Sequence, residues 1–189
     1  MTPPQPQDAV ALFNQGYQQY MTEDFVGAIA SYDKVLQIKP DSYEAWYNRG
    51  LALYCLGEIE KAITSYDKAI EIKPDSHEAW GNRGIALRDL GQFEQAITSY
   101  DKALEIKPDL HEAWGNRGNA LENLGQFSEA LVSFNKAIEI RPHPQQQRQT
   151  HFRRYSPPPP QPLPASQPFL LPKCPHRQPN HHHRICRFS

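Results

Sequence analysis

The chain has 189 residues, 39% of them hydrophobic, and its 20 basic and 21 acidic side chains leave a net charge of −1, so it bounds one ordinary domain with some extra length. The near-neutral sum hides a split: residues 1–142 hold every acid and sum to −8, whereas residues 143–189 hold none and sum to +7. No apolar run approaches the roughly 18 residues that span a bilayer, the three cysteines form no Cys-x-x-Cys pair and argue against a disulfide scaffold, and the N-terminus lacks the basic start and apolar core of a secretion signal; the expectation is a soluble cytoplasmic protein with no membrane partner.

Residues 1–8 form a Pro/Gln-rich leader, expected to be disordered. From Ala9 onward the chain is periodic. Tyr43-Glu44-Ala45-Trp46-Tyr47-Asn48-Arg49-Gly50 returns in variant form at residues 77–84 and 111–118, so that Trp46, Trp80 and Trp114 lie 34 residues apart. A fixed period of this length marks a repeat architecture and outranks any local reading. The same interval before Tyr43 reaches a degenerate copy, in which Leu12 replaces Trp while Gly16, Ala28, Tyr32 and Pro40 stay in register. The units are 9–42, 43–76, 77–110 and 111–144.

Each unit reads as two helices. Asp41 with Glu44, Asp75 with Glu78 and Asp109 with Glu112 suggest capping boxes at the starts of the first helices. Leu56-Gly57, Leu90-Gly91 and Leu124-Gly125 supply the glycine that a left-handed helix end favours, whereas the first unit has Thr22-Glu23 there. Pro40, Pro74, Pro108 and Pro142 end the second helices, because proline cannot extend the ladder. At 100° per residue, Trp46, Gly50 and Leu53 fall within about 60° of one another and make an inward stripe. An internal glycine is about 1 kcal/mol less favourable than alanine in a helix. Its return at Gly16, Gly50, Gly84 and Gly118 implies a neighbouring helix in close approach, met by the small-large-small face of Ala62, Tyr66 and Ala69.

The Trp, Gly, Tyr/Phe, Ala and Pro pattern at this period resembles the tetratricopeptide repeat family, strongly over 43–142 and acceptably over 9–42. The resemblance implies an all-α fold, a right-handed α-solenoid of four helix-turn-helix repeats, serving as a protein-binding scaffold whose first helices line a concave groove. About 180° from Trp46 lie Glu44, Asn48, Leu51 and Cys55. The matching sets are Val10, Asn14, Tyr17 and Met21, then Glu78, Asn82, Ile85 and Asp89, then Glu112, Asn116, Asn119 and Asn123.

Two features of that face point to a partner. Asn14, Asn48, Asn82 and Asn116 form a ladder of amides, each able to pair with both groups of a peptide backbone; some grooves of this family hold extended peptides through such asparagines. The alternative is that asparagine is a tolerated surface residue copied with the repeat. There is also a gradient, from an aromatic end with Phe13, Tyr17, Met21, Tyr47, Leu51 and Cys55 in the first two units to a polar, mildly acidic trough with Gly81, Arg88, Asp89, Gly115, Asn119, Glu122 and Asn123 in the last two; Ile85 lies on the same face of the third unit. Tyr20 and Tyr54 are expected to pack between adjacent helices instead. Members that hold acidic chaperone tails use a Lys/Asn/Arg clamp, but Phe13 and Tyr17 stand where its Lys and Asn belong, so chaperone-tail binding is not supported. Arg49, Arg83 and Arg117 are expected to pair with acids such as Asp67 and Asp101. His77 and His111 read as exposed variants, and no phosphate loop or nucleophile motif appears. Neither catalysis nor a cofactor is expected.

From His143 the period stops. The last 47 residues hold 11 prolines and no acid, a composition that cannot bury enough apolar surface to fold. Cys174, His176, His181, His182, His183 and Cys186 match no familiar metal frame, and seven scattered bases make a weak nucleic-acid signal. Nothing after Pro142 resembles the polar capping helix that normally closes such an array. Three functions follow as expectations: an adaptor for an extended partner segment, a self-associating fragment of a truncated or frame-shifted larger array, or a binder whose basic tail occupies its own acidic repeats.

Overall fold

The computed structural model describes residues 6–140, with side chains from Asp8 onward. Among the described residues eight helices follow one another: α1 (Pro6–Met21), α2 (Phe25–Ile38), α3 (Tyr43–Leu56), α4 (Ile59–Ile72), α5 (His77–Asp89), α6 (Phe93–Ile106), α7 (His111–Asn123) and α8 (Phe127–Ile140). Each packs on its neighbours in sequence, and α1 also meets α3 as α5 meets α7, so the first helices of the units form one inner row. This is the all-α repeat solenoid expected from the period. Helix α1 begins at Pro6, inside the stretch read as a disordered leader; proline suits a first helical position, where its missing N–H is not needed. The tail prolines, the Cys/His cluster and the rest of residues 143–189 lie outside the described residues.

The helix starts differ by one residue from the capping-box reading. Ser42 and Ser76, not Asp41 and Asp75, are the N-caps, and their hydroxyls accept from the Ala45 and Ala79 amides at 3.3 and 3.1 Å. The serine sits three residues before the amide it satisfies, which leaves Glu44 and Glu78 to approach the hydroxyl itself. Leu110 takes this place in the fourth unit and makes no side-chain cap bond. At the turns inside the units Gly57, Gly91 and Gly125 have φ of 88°, 74° and 74°, and Glu23 occupies the same left-handed region at 63°.

Small residues let the two helices of a unit close on one another. A Cβ on Gly50 would lie 2.6 Å from Tyr66 Cε1, and one on Gly84 would lie 2.6 Å from Tyr100 Cε1. Tyr32, Tyr66 and Tyr100 are fully buried. Between units the second helix receives the next first helix: Val35 and Leu36 of α2 pack with Ala45, and Trp46 closes over that cluster. The tryptophan does more than fill space. Trp46, Trp80 and Trp114 donate through Nε1 to the carbonyls of Pro40, Pro74 and Pro108 at 2.8–2.9 Å, tying each first helix to the turn that leads into it.

The junctions carry one polar unit three times. Arg49, Arg83 and Arg117 donate from Nε to Asp33, Asp67 and Asp101 of the preceding second helix at 2.6 Å. From Nη1 they donate to Ser65, Ser99 and Ser133 of their own unit. Each guanidinium also lies 5.7–5.9 Å from the neighbouring tryptophan ring. The expected pairing of these arginines with acids on a second helix is what the fold uses, and a buried serine in every junction is satisfied by it.

Candidate functional site

The expected groove residues all lie on the inner row of α1, α3, α5 and α7, which does not treat the repeats alike. At α3 the wall is filled. Tyr47 is buried, stacks on Tyr43 with centroids 5.7 Å apart, and lies 6.2 Å from Tyr66. Leu51, expected on the open face, is 3% exposed. Burial holds the Tyr47 phenol well above its ordinary value and pushes Tyr43 up to about 12. Tyr17 is half-buried, and Asn14 remains exposed on α1.

The asparagine ladder, four equivalent positions in sequence, has four different surroundings. Asn82 is buried and donates from Nδ2 to Tyr47 Oη at 2.9 Å. Asn116 Oδ1 accepts from Arg88 Nη1 at 2.8 Å. Asn48 Nδ2 donates back to the Glu44 carbonyl of its own helix at 2.7 Å. Asn14 is open to solvent. A donor bonded to the protein is not available to a ligand without an exchange, so Asn82 in particular acts as a link between α3 and α5.

Further polar contacts run across the wall. Tyr54 donates to Asp89 at 2.6 Å, Asp89 pairs with Arg88 at 2.9 Å, and Arg88 reaches Asn116, which joins α3, α5 and α7. Tyr20 is buried with its hydroxyl 3.6 Å from Cys55 Sγ. Tyr20 and Tyr54 therefore serve between helices, as expected. His77 and His111, read as exposed, are half-buried beside Glu78 and Glu112.

The second half of the wall is open. Tyr47 has Gly81 and then Gly115 at its repeat position, and a Cβ built on either would meet nothing within 4 Å. Ile85 is half-buried beside this floor, Asn119 is exposed, and Glu112 and Glu122 are exposed acids on α7. The wall is thus filled at α3 and open at α5 and α7, while on α1 Val10 and Met21 are exposed along with Asn14. The spent donors and the filled aromatic end were beyond sequence reasoning, because both depend on which side chain from the adjacent repeat arrives at each position; the loss of the aromatic residue at Gly81 and Gly115 was the signal available.

A family model described as TPR repeat matches residues 16–57 and 84–125, and models described as tetratricopeptide repeat match 43–76, 111–144 and 65–98. Among solved structures, a crystal structure of MamA is 27% identical with a TM-score of 0.69, covering 75% of this chain and 81% of that one. MamA 41-end from Desulfovibrio magneticus RS-1 is 22% identical with a TM-score of 0.67, covering 70% and 75%. The first TPR of Spaghetti, bound to the HSP90 peptide SRMEEVD, is 24% identical with a TM-score of 0.62, covering 64% and 96%. The last two likenesses bear on the fold alone. Comparison with curated proteins gives no match.

Proposed function

The chain belongs to the tetratricopeptide repeat family of interaction scaffolds, and from that premise we propose that it is a non-catalytic adaptor that holds an extended segment of a partner protein along its inner wall. The observation that carries the reading is the open floor at Gly81 and Gly115, where backbone can approach backbone without an intervening side chain. Ile85 offers an apolar contact beside it, Asn119 offers its amide to the partner's main chain, and Asn116, whose Oδ1 is held by Arg88, offers its Nδ2 donor. Asn14, Asn48 and Tyr17 would extend the track toward α1, while Asn82, Tyr47 and Leu51 support it from beneath. Glu112 and Glu122 favour a polar or basic segment. The Spaghetti domain holds the acidic SRMEEVD, a ligand that this acidic wall would repel.

The test is selection of binders from a displayed random-peptide library, followed by nuclear magnetic resonance mapping on the full chain. The expected result is a basic or polar consensus whose addition shifts the amides of Gly81, Ile85, Gly115 and Asn119. Filling the floor with Gly115→Leu should abolish binding. Shifts confined to α2, α4, α6 and α8 would overturn the reading. A second reading, self-association through the terminal repeat, is favoured by the exposure of Leu131 and Ile138 on α8, at 60% and 71%.

A further inference from the structure

The two ends of the described array differ in a way that bears on what each can meet. At internal junctions Ala45, Arg49 and Ala52 of a first helix face the preceding unit; Ala45 and Ala52 are fully buried, and Arg49 pairs with Asp33. On α1 the same positions are Ala11, Gln15 and Gln18, all exposed. Glutamines stand where a stacked junction has a buried alanine and a paired arginine, which gives this end the polar outer face of a capping unit. It is a poor partner for an apolar surface, because stacking on it would bury amide groups.

Helix α8 is the opposite case. Its stripe of Phe127, Leu131 and Ile138 is 68%, 60% and 71% exposed. Ile138 falls at the position of Leu104 and Leu36, which are 7% and 9% exposed because the next unit covers them. Leu131 falls at the position of Ile97 and Ile63, which pack against the Leu87 cluster. One residue within the stripe has changed character. Asp33, Asp67 and Asp101 each accept from an arginine of the following unit at 2.6 Å, and the fourth copy of that position is the neutral Asn135. The other α8 charges are occupied or lie off the stripe, Lys136 being paired with Glu139 at 2.8 Å.

A face that keeps the junction's apolar residues and drops its one charge suits a copy of itself better than it suits a first helix bearing arginine. We propose that two chains dimerise tail to tail, with α8 against α8 about a two-fold axis. Each copy's Phe127, Leu131 and Ile138 bury against the other's stripe. The Asn135 carboxamides, each both donor and acceptor, satisfy one another at the interface. Such an isologous contact closes at two copies, whereas stacking of α8 on α1 would be heterologous and would grow into filaments. The proposal rests on the self-association reading and assigns its geometry.

Sedimentation velocity of the full chain over a concentration series tests it, with circular dichroism confirming helix content for each variant. The expected result is a monomer–dimer equilibrium with no larger species. Leu131→Glu with Ile138→Glu should weaken it by about a hundred-fold or more, the scale on which apolar anchors are lost. Asn135→Asp should weaken it by about tenfold through like charges facing across the axis, with partial recovery in high salt. Ala11→Glu with Gln18→Glu should leave it unchanged. A wild-type monomer at every concentration overturns both self-association and this geometry. Association that responds to the α1 pair but not to the α8 pair, or that runs on to open-ended oligomers, keeps self-association and overturns the tail-to-tail arrangement.

Discussion

Two glycines on α5, three residues apart, should respond differently to the same substitution. At Gly84 an added Cβ would stand 2.6 Å from Cε1, 2.8 Å from Cδ1 and 3.0 Å from Cζ of Tyr100, whose ring is fully buried. Carbon atoms sit comfortably about 3.5–4.0 Å apart, so helix α6 or the ring must move, an overpacking that costs about 1–3 kcal/mol. At Gly81 the same Cβ meets nothing within 4 Å. Both replacements gain helix propensity, about 1 kcal/mol each. Gly81→Ala should therefore stabilise the protein by up to that amount, and Gly84→Ala should come out neutral to destabilising by about 2 kcal/mol. The propensity gain cancels in the difference, which leaves about 1–3 kcal/mol as the overpacking alone. Urea unfolding, read from midpoints at matched slopes, measures it. In a Tyr100→Leu background, where the ring is gone, the two alanine substitutions should converge. Equal stability of Gly81→Ala and Gly84→Ala in the wild-type background would refute the close-approach account of the repeated glycine.

Other consequences are as direct. Glu23 holds a φ of 63° where the equivalent residue is Gly57, so Glu23→Gly should raise stability by up to about 1 kcal/mol by relieving left-handed strain, seen as a higher melting temperature; an unchanged or lower value would count against it. Arg83→Met removes donors to Asp67 and Ser99 and should cost about 1–2 kcal/mol in the same denaturation assay, discounted because Asp67 is 43% exposed. Asp67→Asn should cost less, since the Ser99 bond survives. Burial holds the Tyr32, Tyr47, Tyr66 and Tyr100 phenols above their ordinary value. An unfolded chain releases those protons near pH 10 while the folded chain keeps them, so the contribution is whole below about pH 10 and lost as pH rises above it. Melting temperature should fall across that window, and phenolate absorbance rising near pH 10 with no such fall would contradict the linkage.

The architecture was legible in the sequence because its determinants recur at one interval. Trp46, Trp80 and Trp114 marked the period, the glycine-tyrosine pairs marked the close contact inside each unit, and the prolines marked the boundaries. Repetition of this kind is a statement about nearest neighbours: each unit meets the same partner residues, so a pattern that satisfies one junction satisfies all three. The arginine-aspartate pairs followed the same logic and could be anticipated from helical angle. The capping register could not, since Asp41 and Ser42 are both good caps and only backbone geometry chose the serine.

The inner wall is where angle ceased to be enough. Asn14, Asn48, Asn82 and Asn116 share one repeat position, yet one is buried under Tyr47's hydroxyl, one is held by Arg88, one bonds its own helix and one faces solvent. Helical angle says which way a side chain leaves its own helix. It does not say which long side chain from the next helix reaches it, and Tyr47 and Arg88 are residues that the repeats do not share. By itself the sequence determined the stack and the identity of its ends. Tertiary structure decided which of its equivalent positions remain free to meet a partner, because the inter-repeat contacts on that wall are made by residues at which the copies differ.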